Sequence, residues 1–398
     1  MKKCSLLLII LLTACSNETN VDLQTRARKL VQENILIDGH IDVPYRLSKE
    51  NVDVGLSTTG GDFDFPRAKS GGLNAPFMSI YIPAEKEKDG SARAYADQLI
   101  DNVEELVGKH PDKFAIPMSL NQLNRQVAQG KLSFPLGMEN GAAIDGSIEN
   151  LRHFYNRGVR YITLTHSKSN HISDSSYDKE RPWQGLSDFG KQLVQEMNVL
   201  GVMVDVSHIS DQAFWQVLEI SQVPVIASHS SARHFTPDFE RNMSDEMIKA
   251  LAKKDGVIMI NFGSTFISAK SRTSYAEINS AVDNFIKERN LVKENTEVKK
   301  YTEKLQKDKF IYADLNDVLD HFDHIRDLVG VDHIGIGSDF DGVGDSLPVG
   351  LKDVSEYPNL VLGLLKRGYS NDDIRKILGG NLLRVWQRNE DFSAMQKI

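Results

Sequence analysis

The stretch NILIDGHID, residues 34–42, starts as a buried strand and ends in side chains that can bind a metal. Ile35, Leu36 and Ile37 form a short apolar run of residues that favour β-structure. His40 and Asp42 follow this run, and residues two apart in an extended chain point to the same side. Such a pair can bind a metal ion, but a His and an Asp two residues apart can also lie in a solvated loop.

The same arrangement of an apolar run followed by polar residues recurs along the chain. Eight strands are predicted, at residues 35–37, 77–82, 134–138, 160–164, 202–206, 224–227, 257–260 and 334–337. The polar residues at their C-terminal ends are His40, Asp42, Glu139, His166, His208, His229, Asn261 and Asp339. Strands that alternate with helices predict an α/β fold, a (β/α)8 TIM-like barrel, in which catalytic residues lie at the C-terminal ends of the strands.

Segments with helical periodicity lie between several of these strands. Ser187, Ser244 and Ser370 are predicted to cap three helices, and the last of these is predicted to stop at Gly379 and Gly380. Two regions exceed a minimal barrel: a long loop at 43–76 and a charged, mostly helical insertion at about 264–312. Both are expected to cover the top face of one domain spanning residues 31–390.

The N-terminus has the pattern of a targeting segment. Lys2 and Lys3 precede an apolar run that is too short to span a bilayer, so residues 1–14 are predicted to be a signal peptide. The sequence LTAC at 12–15 resembles a bacterial lipobox, which implies lipidation of Cys15 and a lipid-anchored tether over residues 15–30. Because Ser16 rather than Asp follows Cys15, the anchor is expected in the outer membrane if the organism is Gram-negative.

Composition excludes several classes of function. The chain has 398 residues, 40% of them hydrophobic, which is ample for a large core. Its net charge of −8 and the lack of a basic block predict no nucleic-acid partner. Its two cysteines are Cys4, within the signal peptide, and Cys15, so thiol chemistry is not expected in the barrel.

Imidazole and carboxylate groups without thiolate are the ligands of catalytic zinc and similar divalent ions. The strand ends offer more of them than one tetrahedral ion needs. Two ions that share Glu139 would use them economically. His40 and Asp42 would complete one site and His208 and His229 the other. Two such ions can hold a bridging hydroxide as a nucleophile at neutral pH.

Motifs across residues 30–388 resemble the membrane (renal) dipeptidase family. They are HID at 40–42, GMEN at 137–140, YITLTH at 161–166, VDVSH at 204–208, PVIASHSSAR at 224–233, MINF at 259–262, GIGSDFDG at 335–342 and GYSNDDIRKILGGNLLRV at 368–385. The resemblance implies a barrel with two zinc ions per chain that hydrolyses dipeptides. It implies zinc ligation by the five residues His40, Asp42, Glu139, His208 and His229, with Glu139 as the bridge.

Further roles follow from the same resemblance. His166 would hydrogen-bond the oxygen of the scissile carbonyl, and Asp339 would handle the proton of the nucleophile. Arg241 would bind the substrate carboxylate, with Arg233 as the fallback because the alignment needs a one-residue shift. Gly263 departs from the family, in which many members have an aromatic residue at this position. The oligomeric state stays open, with a homodimer as one alternative.

Two other functions remain as alternatives. A related metal-dependent amidohydrolase would act on another amide, although such enzymes usually open with His-x-His and not with His-x-Asp. A lipid-anchored binding protein would keep the barrel without turnover. Outside the predicted site, Asp205 is interpreted as structural, and the helically spaced His321 and His324 as residues of a solvated helix face.

Overall fold

A parallel β-barrel forms the centre of the molecule. The computed structural model describes residues 19–396. Eight parallel strands are hydrogen-bonded side by side in chain order, and a bridge between Ile41 and Phe340 joins the two edges. The strands of the barrel are β1 Leu36–Ile41, β2 Leu73–Tyr81, β5 Leu136–Glu139, β6 Val159–Thr163, β7 Met203–Asp205, β8 Ile226–Ala227, β9 Val257–Ile260 and β10 Ile334–Ile336. The predicted (β/α)8 fold is confirmed.

The strands differ most from the prediction at the start of β2 and in a second, small sheet. β2 begins at Leu73, four residues before the apolar run from which it was predicted, because Leu73 and Ala75 are buried against β1. In addition, β3 Phe114–Ala115 and β4 Leu132–Ser133 pair in a small parallel sheet outside the barrel. Two-residue strands carry too little alternation to be seen in a sequence.

Helices cover the outside of the barrel and parts of its ends. They are α1 Asn20–Glu33, α2 Val43–Lys49, α3 Phe65–Gly71, α4 Glu85–Lys88, α5 Ala92–Lys109, α6 Leu120–Ala128, α7 Ile148–Asn156, α8 Asp188–Leu200, α9 Asp211–Ile220, α10 Asp245–Lys253, α11 Ser264–Ile267, α12 Ala269–Arg289, α13 Thr296–Lys309, α14 Leu315–Val329, α15 Tyr357–Lys366, α16 Asn371–Arg375 and α17 Asn381–Gln396. The three predicted caps are confirmed, since the hydroxyls of Ser187, Ser244 and Ser370 each accept a backbone N–H of the first turn.

The predicted end of the C-terminal helix is wrong. A π-helical turn, Lys376–Gly380, joins α16 to α17, so the chain stays helical through both glycines. Gly379 serves a close approach instead, because a Cβ there would lie 2.5 Å from the carbonyl oxygen of Ile35. This contact holds the C-terminal segment beneath the first strand of the barrel.

Apolar side chains fill the barrel below its catalytic end. Phe77 and Tyr161 point inward from β2 and β6, and their ring centroids lie 5.1 Å apart. Trp386 of α17 packs on Phe77 at 5.5 Å and is fully buried. Because the interior is a packed core and not a pore, polar chemistry is confined to the opposite end.

The two regions beyond a minimal barrel are largely helical. Residues 43–76 contain α2, α3 and the start of β2, so a single long loop over 43–76 was wrong. The insertion at 264–312 contains α11, α12 and α13, as its composition predicted. Helices α12 and α13 have a small core of their own, which comprises Ile278, Val282, Val298, Leu305 and Phe310.

The N-terminal segment is more ordered than a tether. Helix α1 begins with a capping box between Thr19 and Asp22 and buries Ala27, Leu30 and Val31. The tether predicted over 15–30 is therefore too long, because residues from Asn20 onward belong to a helix packed on α15. The predicted signal peptide and Cys15 lie outside the described residues. Within residues 19–396 no helix has the length and apolarity needed to cross a membrane.

Candidate active site

The predicted site residues meet at the C-terminal end of the barrel. β1 carries His40 and leads into Asp42, and β5 ends at Glu139. His166, His208, His229 and Asp339 come just after β6, β7, β8 and β10. Three of the clusters that the structure forms from groups able to hold a metal consist of these residues alone: His40 with Glu139 and His229, Glu139 with His166 and His208, and His40 with Asp42 and Asp339.

Glu139 lies between two pairs of ligand atoms. Its Oε2 is 3.3 Å from Nε2 of His40, and that nitrogen is 3.4 Å from Oδ2 of Asp42. Its Oε1 is 3.1 Å from Nε2 of His208 and 3.2 Å from Nε2 of His229. Each carboxylate oxygen thus faces a different pair, which is the arrangement that a bridging ligand needs.

These separations match those expected between ligands of one metal ion. Four ligands at zinc-like bond lengths of about 2.0–2.1 Å in a tetrahedron lie about 3.3 Å from one another. Buried polar atoms also lack partners here, among them Nε2 of His40 and Oδ1 of Asp42. Unpaired buried polar atoms are costly, so a cation that binds them would remove a real penalty.

Neighbouring hydroxyls orient two of the imidazoles. The hydroxyl of Tyr161 donates to the carbonyl of Gly39 at 2.9 Å, so it accepts the Nδ1 proton of His40 at 2.8 Å. In the same way Ser228 donates to Asp205 at 2.6 Å and accepts from Nδ1 of His229 at 2.7 Å. Both Nε2 atoms are therefore left with a free lone pair.

The role of Asp205 agrees with its structural interpretation. It is fully buried and accepts hydrogen bonds from Thr163, from the backbone N–H of Ser207 and from Ser228. Through Ser228 it fixes the orientation of His229.

The charges at the site favour a bound cation. Burial disfavours the charged form of His40, yet Tyr161, Glu139 and Asp42 raise its pKa well above its usual range. Burial and the Arg241 charge hold the pKa of His208 well below its usual range. Burial also lowers the pKa of His229, with His40 and Arg241 adding to the effect. Negative charge thus concentrates near His40, where it would attract a metal ion as it attracts a proton, and His208 and His229 are kept neutral.

His166 borders the cluster and faces the cavity. Its Nε2 lies 3.6 Å from Oε1 of Glu139, and its buried Nδ1 has no hydrogen-bond partner. Burial lowers the pKa of His166, so the ring is neutral at physiological pH. A neutral imidazole offers one N–H, which can donate to a carbonyl oxygen of a bound substrate.

Asp339 is close to Asp42 and His40 and is held by Asn261. Nδ2 of Asn261 donates to Oδ2 of Asp339 at 2.7 Å. Burial, with the nearby Asp42 and Glu139 charges, raises the pKa of Asp339 to about 7. A carboxyl group that titrates there can both take and return a proton. Gly342 permits the close packing, since a Cβ would lie 2.2 Å from Oδ2 of Asp42 and 2.3 Å from Oδ1 of Asp339.

The structure distinguishes the two candidate arginines. Arg241 is only 3% exposed, and its guanidinium donates to the Ser230 hydroxyl and to the carbonyl of His229 at 2.7 Å each. Its Nη2 lies 3.0 Å from Nε2 of His208, and its Nε has no partner. Arg233 is instead engaged by both carboxylate oxygens of Asp211, at 2.8 and 2.6 Å. Of the two arginines, Arg241 is therefore the one that lies beside the cluster, and its Nε–H has no acceptor.

A cavity of about 570 Å³ opens above the cluster. Its walls include side chains that sequence reasoning missed: Tyr45, Tyr81, Tyr177, Phe266 and Tyr275. Tyr81 is the last residue of β2, whereas the other four lie on loops and added helices, where an aromatic residue in a polar segment was the only signal. Gly263 leaves space that Phe266 and Val343 fill, because both would lie 2.9 Å from a Cβ at that position. An aromatic side chain is thus present on this side of the cavity, and it is Phe266, three residues later.

The two histidines on α14 differ from their interpretation as a solvated pair. His321 is fully buried, with Nδ1 accepting the Ala232 backbone N–H and Nε2 bonded to the carbonyl of Ile267. His324 is paired with Asp245 at 2.8 Å. His324, Asp245 and His234 form a further cluster able to hold a metal. The correction is that His321 joins α14 to the loops behind the site.

Comparison with known proteins agrees with this geometry. A family model described as membrane dipeptidase, peptidase family M19, matches residues 24–397. The chain belongs to the membrane dipeptidase family. It is also 33% identical over 377 residues to dipeptidase 3 of Mus musculus, an alignment that covers 92% of this chain and 67% of that protein. As a membrane dipeptidase it is a metal-dependent hydrolase, a metallo-dipeptidase.

Solved structures of related proteins have the same fold. The probable dipeptidase PvdM from Pseudomonas aeruginosa is 26% identical, with a TM-score of 0.79 over 94% of this chain and 99% of that one. A metallo peptidase from Rhodobacter sphaeroides, liganded with a phosphinate mimic of the dipeptide L-Ala-D-Ala, is 24% identical, with a TM-score of 0.73 over 89% of this chain and 99% of that one. The barrel is therefore the fold of its structural relatives.

Proposed function

We propose that this membrane dipeptidase binds two zinc ions and hydrolyses dipeptides with a free C-terminal carboxylate. His40 and Asp42 would hold one ion, His208 and His229 would hold the other, and Glu139 would be the ligand shared by both. When bound, two such ions supply a hydroxide nucleophile at neutral pH. All other parts of the proposed reaction are performed by side chains of this chain.

One observation carries the proposal. The two oxygens of Glu139 face different ligand pairs at 3.1–3.3 Å, which a carboxylate serving one ion would not need to do. The unpartnered lone pairs of His40 and Asp42 support the same reading. The donor set of imidazole and carboxylate suits zinc, and it would also accept cobalt or manganese.

His166 and Asp339 perform the chemistry at the peptide bond. His166 donates one ring N–H to the carbonyl oxygen as negative charge develops there, and its ring packs edge-on against Tyr81, with 4.8 Å between ring centroids. Asp339 takes the proton of the nucleophile and returns it to the leaving amine. Its raised pKa suits both steps, and Asn261 holds the carboxyl in place.

Arg241 binds the substrate carboxylate. Its hydrogen bonds to the Ser230 hydroxyl and to the carbonyl of His229 fix the guanidinium against the barrel, and Nε is free to donate. A planar, permanently charged fork suits a carboxylate. The cavity is enclosed by Thr265, Phe266 and Tyr275 of the insertion and by Tyr45 of α2, so it favours short substrates. A volume of about 570 Å³ is typical of small-molecule sites.

A hydrolysis assay with a panel of dipeptides, run beside metal analysis, tests the proposal. We expect dipeptides to be cleaved, tetrapeptides to be spared, and two zinc equivalents to accompany full activity. Turnover of cyclic amides without turnover of dipeptides would instead identify an amidohydrolase of another specificity. Binding of dipeptides without turnover in the metal-loaded protein would identify a binding lipoprotein.

We further propose that Cys15 carries a lipid that anchors the enzyme to a bacterial membrane, the outer membrane if the organism is Gram-negative. The LTAC sequence and Ser16 support this proposal. Expression of the full chain with a labelled fatty acid is the test. The label should appear in the wild type and be absent from Cys15→Ser, and label in both variants would overturn the proposal.

A further inference from the structure

Arg272 on α12 is an arginine without a carboxylate partner. It is half-buried, and within residues 19–396 its guanidinium forms no ion pair and no hydrogen bond. It stacks on Phe239 instead, with Cζ 3.5 Å from the ring centroid. Burial lowers the pKa of Arg272, but an arginine stays charged in a protein. A partly desolvated, unpaired positive charge costs free energy unless an anion binds to it.

Aromatic contacts connect Arg272 to the active site. Phe239 lies 6.0 Å from Tyr177 and 5.7 Å from Phe266, measured between ring centroids, and the latter two line the cavity. We call these three residues the aromatic wall. The guanidinium of Arg241 lies over Phe266 at 5.4 Å, so Arg241 and Arg272 contact the same wall.

The aromatic wall belongs to the side of the site that binds the C-terminal residue in the proposed function. Tyr177 is 5.9 Å from His208, on the side of Arg241, whereas the ring of Tyr81 packs on His166. Stacking on Phe239 fixes the plane of the Arg272 guanidinium and leaves the N–H groups at its edge available. Such an edge matches a carboxylate, with two donors for its two oxygens.

We propose that Arg272 is a specificity-determining residue that binds an acidic side chain, aspartate or glutamate, on the C-terminal residue of the dipeptide. This inference rests on the proposed function, because it takes Arg241 as the site of the α-carboxylate. The C-terminal residue then offers two carboxylates to two arginines on one wall. Dipeptides with an acidic C-terminal residue become the preferred substrate class.

The test compares isosteric substrates that differ only in charge. Pairs ending in Glu or Gln, and in Asp or Asn, are assayed with the same N-terminal residue and both configurations of the C-terminal residue. With the full, metal-loaded enzyme we expect kcat/KM for the acid to exceed that for the amide on the order of 10-fold, as a hydrogen-bonded charge pair can provide. In Arg272→Met this ratio should fall to near one through a higher KM for the acid.

Matched variants separate recognition from packing. Arg272→Lys keeps the charge and should retain part of the preference. Arg289→Met, on the same helix but ion-paired with Glu297 and stacked on Phe285, should leave the ratio unchanged. An equal loss on acid and amide in Arg272→Met would show a packing role and overturn the proposal, as would an unchanged ratio. Dipeptide turnover without acid preference refutes only the role of Arg272, whereas no turnover of any dipeptide refutes the proposed function.

Discussion

The Nδ1 of His40 lies 2.8 Å from the hydroxyl of Tyr161, and this hydroxyl has already donated its proton to Gly39. The proton in the first contact therefore belongs to His40, and Nε2 is the nitrogen that faces Glu139 and Asp42. A residue of the packed barrel core thus sets the tautomer of a proposed metal ligand.

Tyr161→Phe should lower metal affinity by about 10–100-fold, because the orientation of His40 is lost while every proposed ligand is kept. Competition with a chelator measures this affinity. Tyr301→Phe is the control, since Tyr301 stacks on Phe285 in the insertion, away from the site. Unchanged affinity in Tyr161→Phe would show that packing alone orients His40.

Glu139→Gln should remove both metal ions, because the two oxygens of Glu139 face both ligand pairs. Its activity should fall further than that of His40→Ala, which disturbs one pair. Metal analysis after gel filtration gives the stoichiometry of each variant. One full equivalent retained by Glu139→Gln, or one ion in the fully active wild type, would contradict the bridging role.

His166→Ala should keep its metal and lose about 10²–10³ in turnover, the usual effect of removing a donor to a developing oxyanion. The matched control is His171→Ala, since His171 follows the same strand but pairs with Glu87 at 2.7 Å. Loss of metal together with activity would make His166 a ligand, consistent with the 3.6 Å separation between its Nε2 and Glu139.

The barrel and the cluster at its mouth could be predicted because their signals are local. An apolar run that ends in His or Glu places that side chain at the strand end, as at Glu139 and His208. Other features depend on contacts between distant segments. In the sequence Tyr161 resembles any core residue of a strand. Its role in orienting His40 is visible only from its hydrogen bonds with Gly39 and His40 in the structure.

At helix ends too, local signals can be predicted from the sequence and contacts between distant segments cannot. Ser187 caps its helix through atoms three residues away, so the sequence suffices. Gly379 resembled a helix stop, but its role is to admit the carbonyl of Ile35 from the other end of the domain. The sequence also could not show that Phe266 fills the space beside Gly263, because this depends on the direction of α11.

Asp62→Asn should change how stability depends on pH. Asp62 and Asp341 exchange backbone-to-carboxylate hydrogen bonds, and burial with the Asp341 charge raises the pKa of Asp62 to about 6 from 3.8. Between these values the folded state holds a proton that the unfolded state has lost, so this group lowers stability as pH rises from about 4 to about 6.

Asp62→Asn has no titrating carboxyl group at this position, so it does not lose this stability as pH rises. The free energy of unfolding of Asp62→Asn, relative to the wild type, should therefore increase between pH 4 and pH 7 by on the order of 1–3 kcal/mol. Urea unfolding at several pH values measures it. For the control Asp89→Asn the difference should have the opposite sign, because a hydrogen bond from Ser91 lowers the pKa of Asp89. A difference for Asp62→Asn that is flat with pH would refute the shift.

Arg241→Met should raise KM for dipeptides with a free C-terminus far more than for the corresponding amides. Arg241 is buried and is held by Ser230 and His229, and its Nη2 lies 3.0 Å from Nε2 of His208, so its charge lies beside the cluster. Arg233→Met is the matched control, because that guanidinium is already occupied by Asp211. Assays of each dipeptide beside its C-terminal amide measure the preference, which the control should retain. If the unmutated enzyme hydrolyses dipeptides and their amides equally, the carboxylate is not recognised, and Arg241 serves only to hold His208 and the His229 backbone in place.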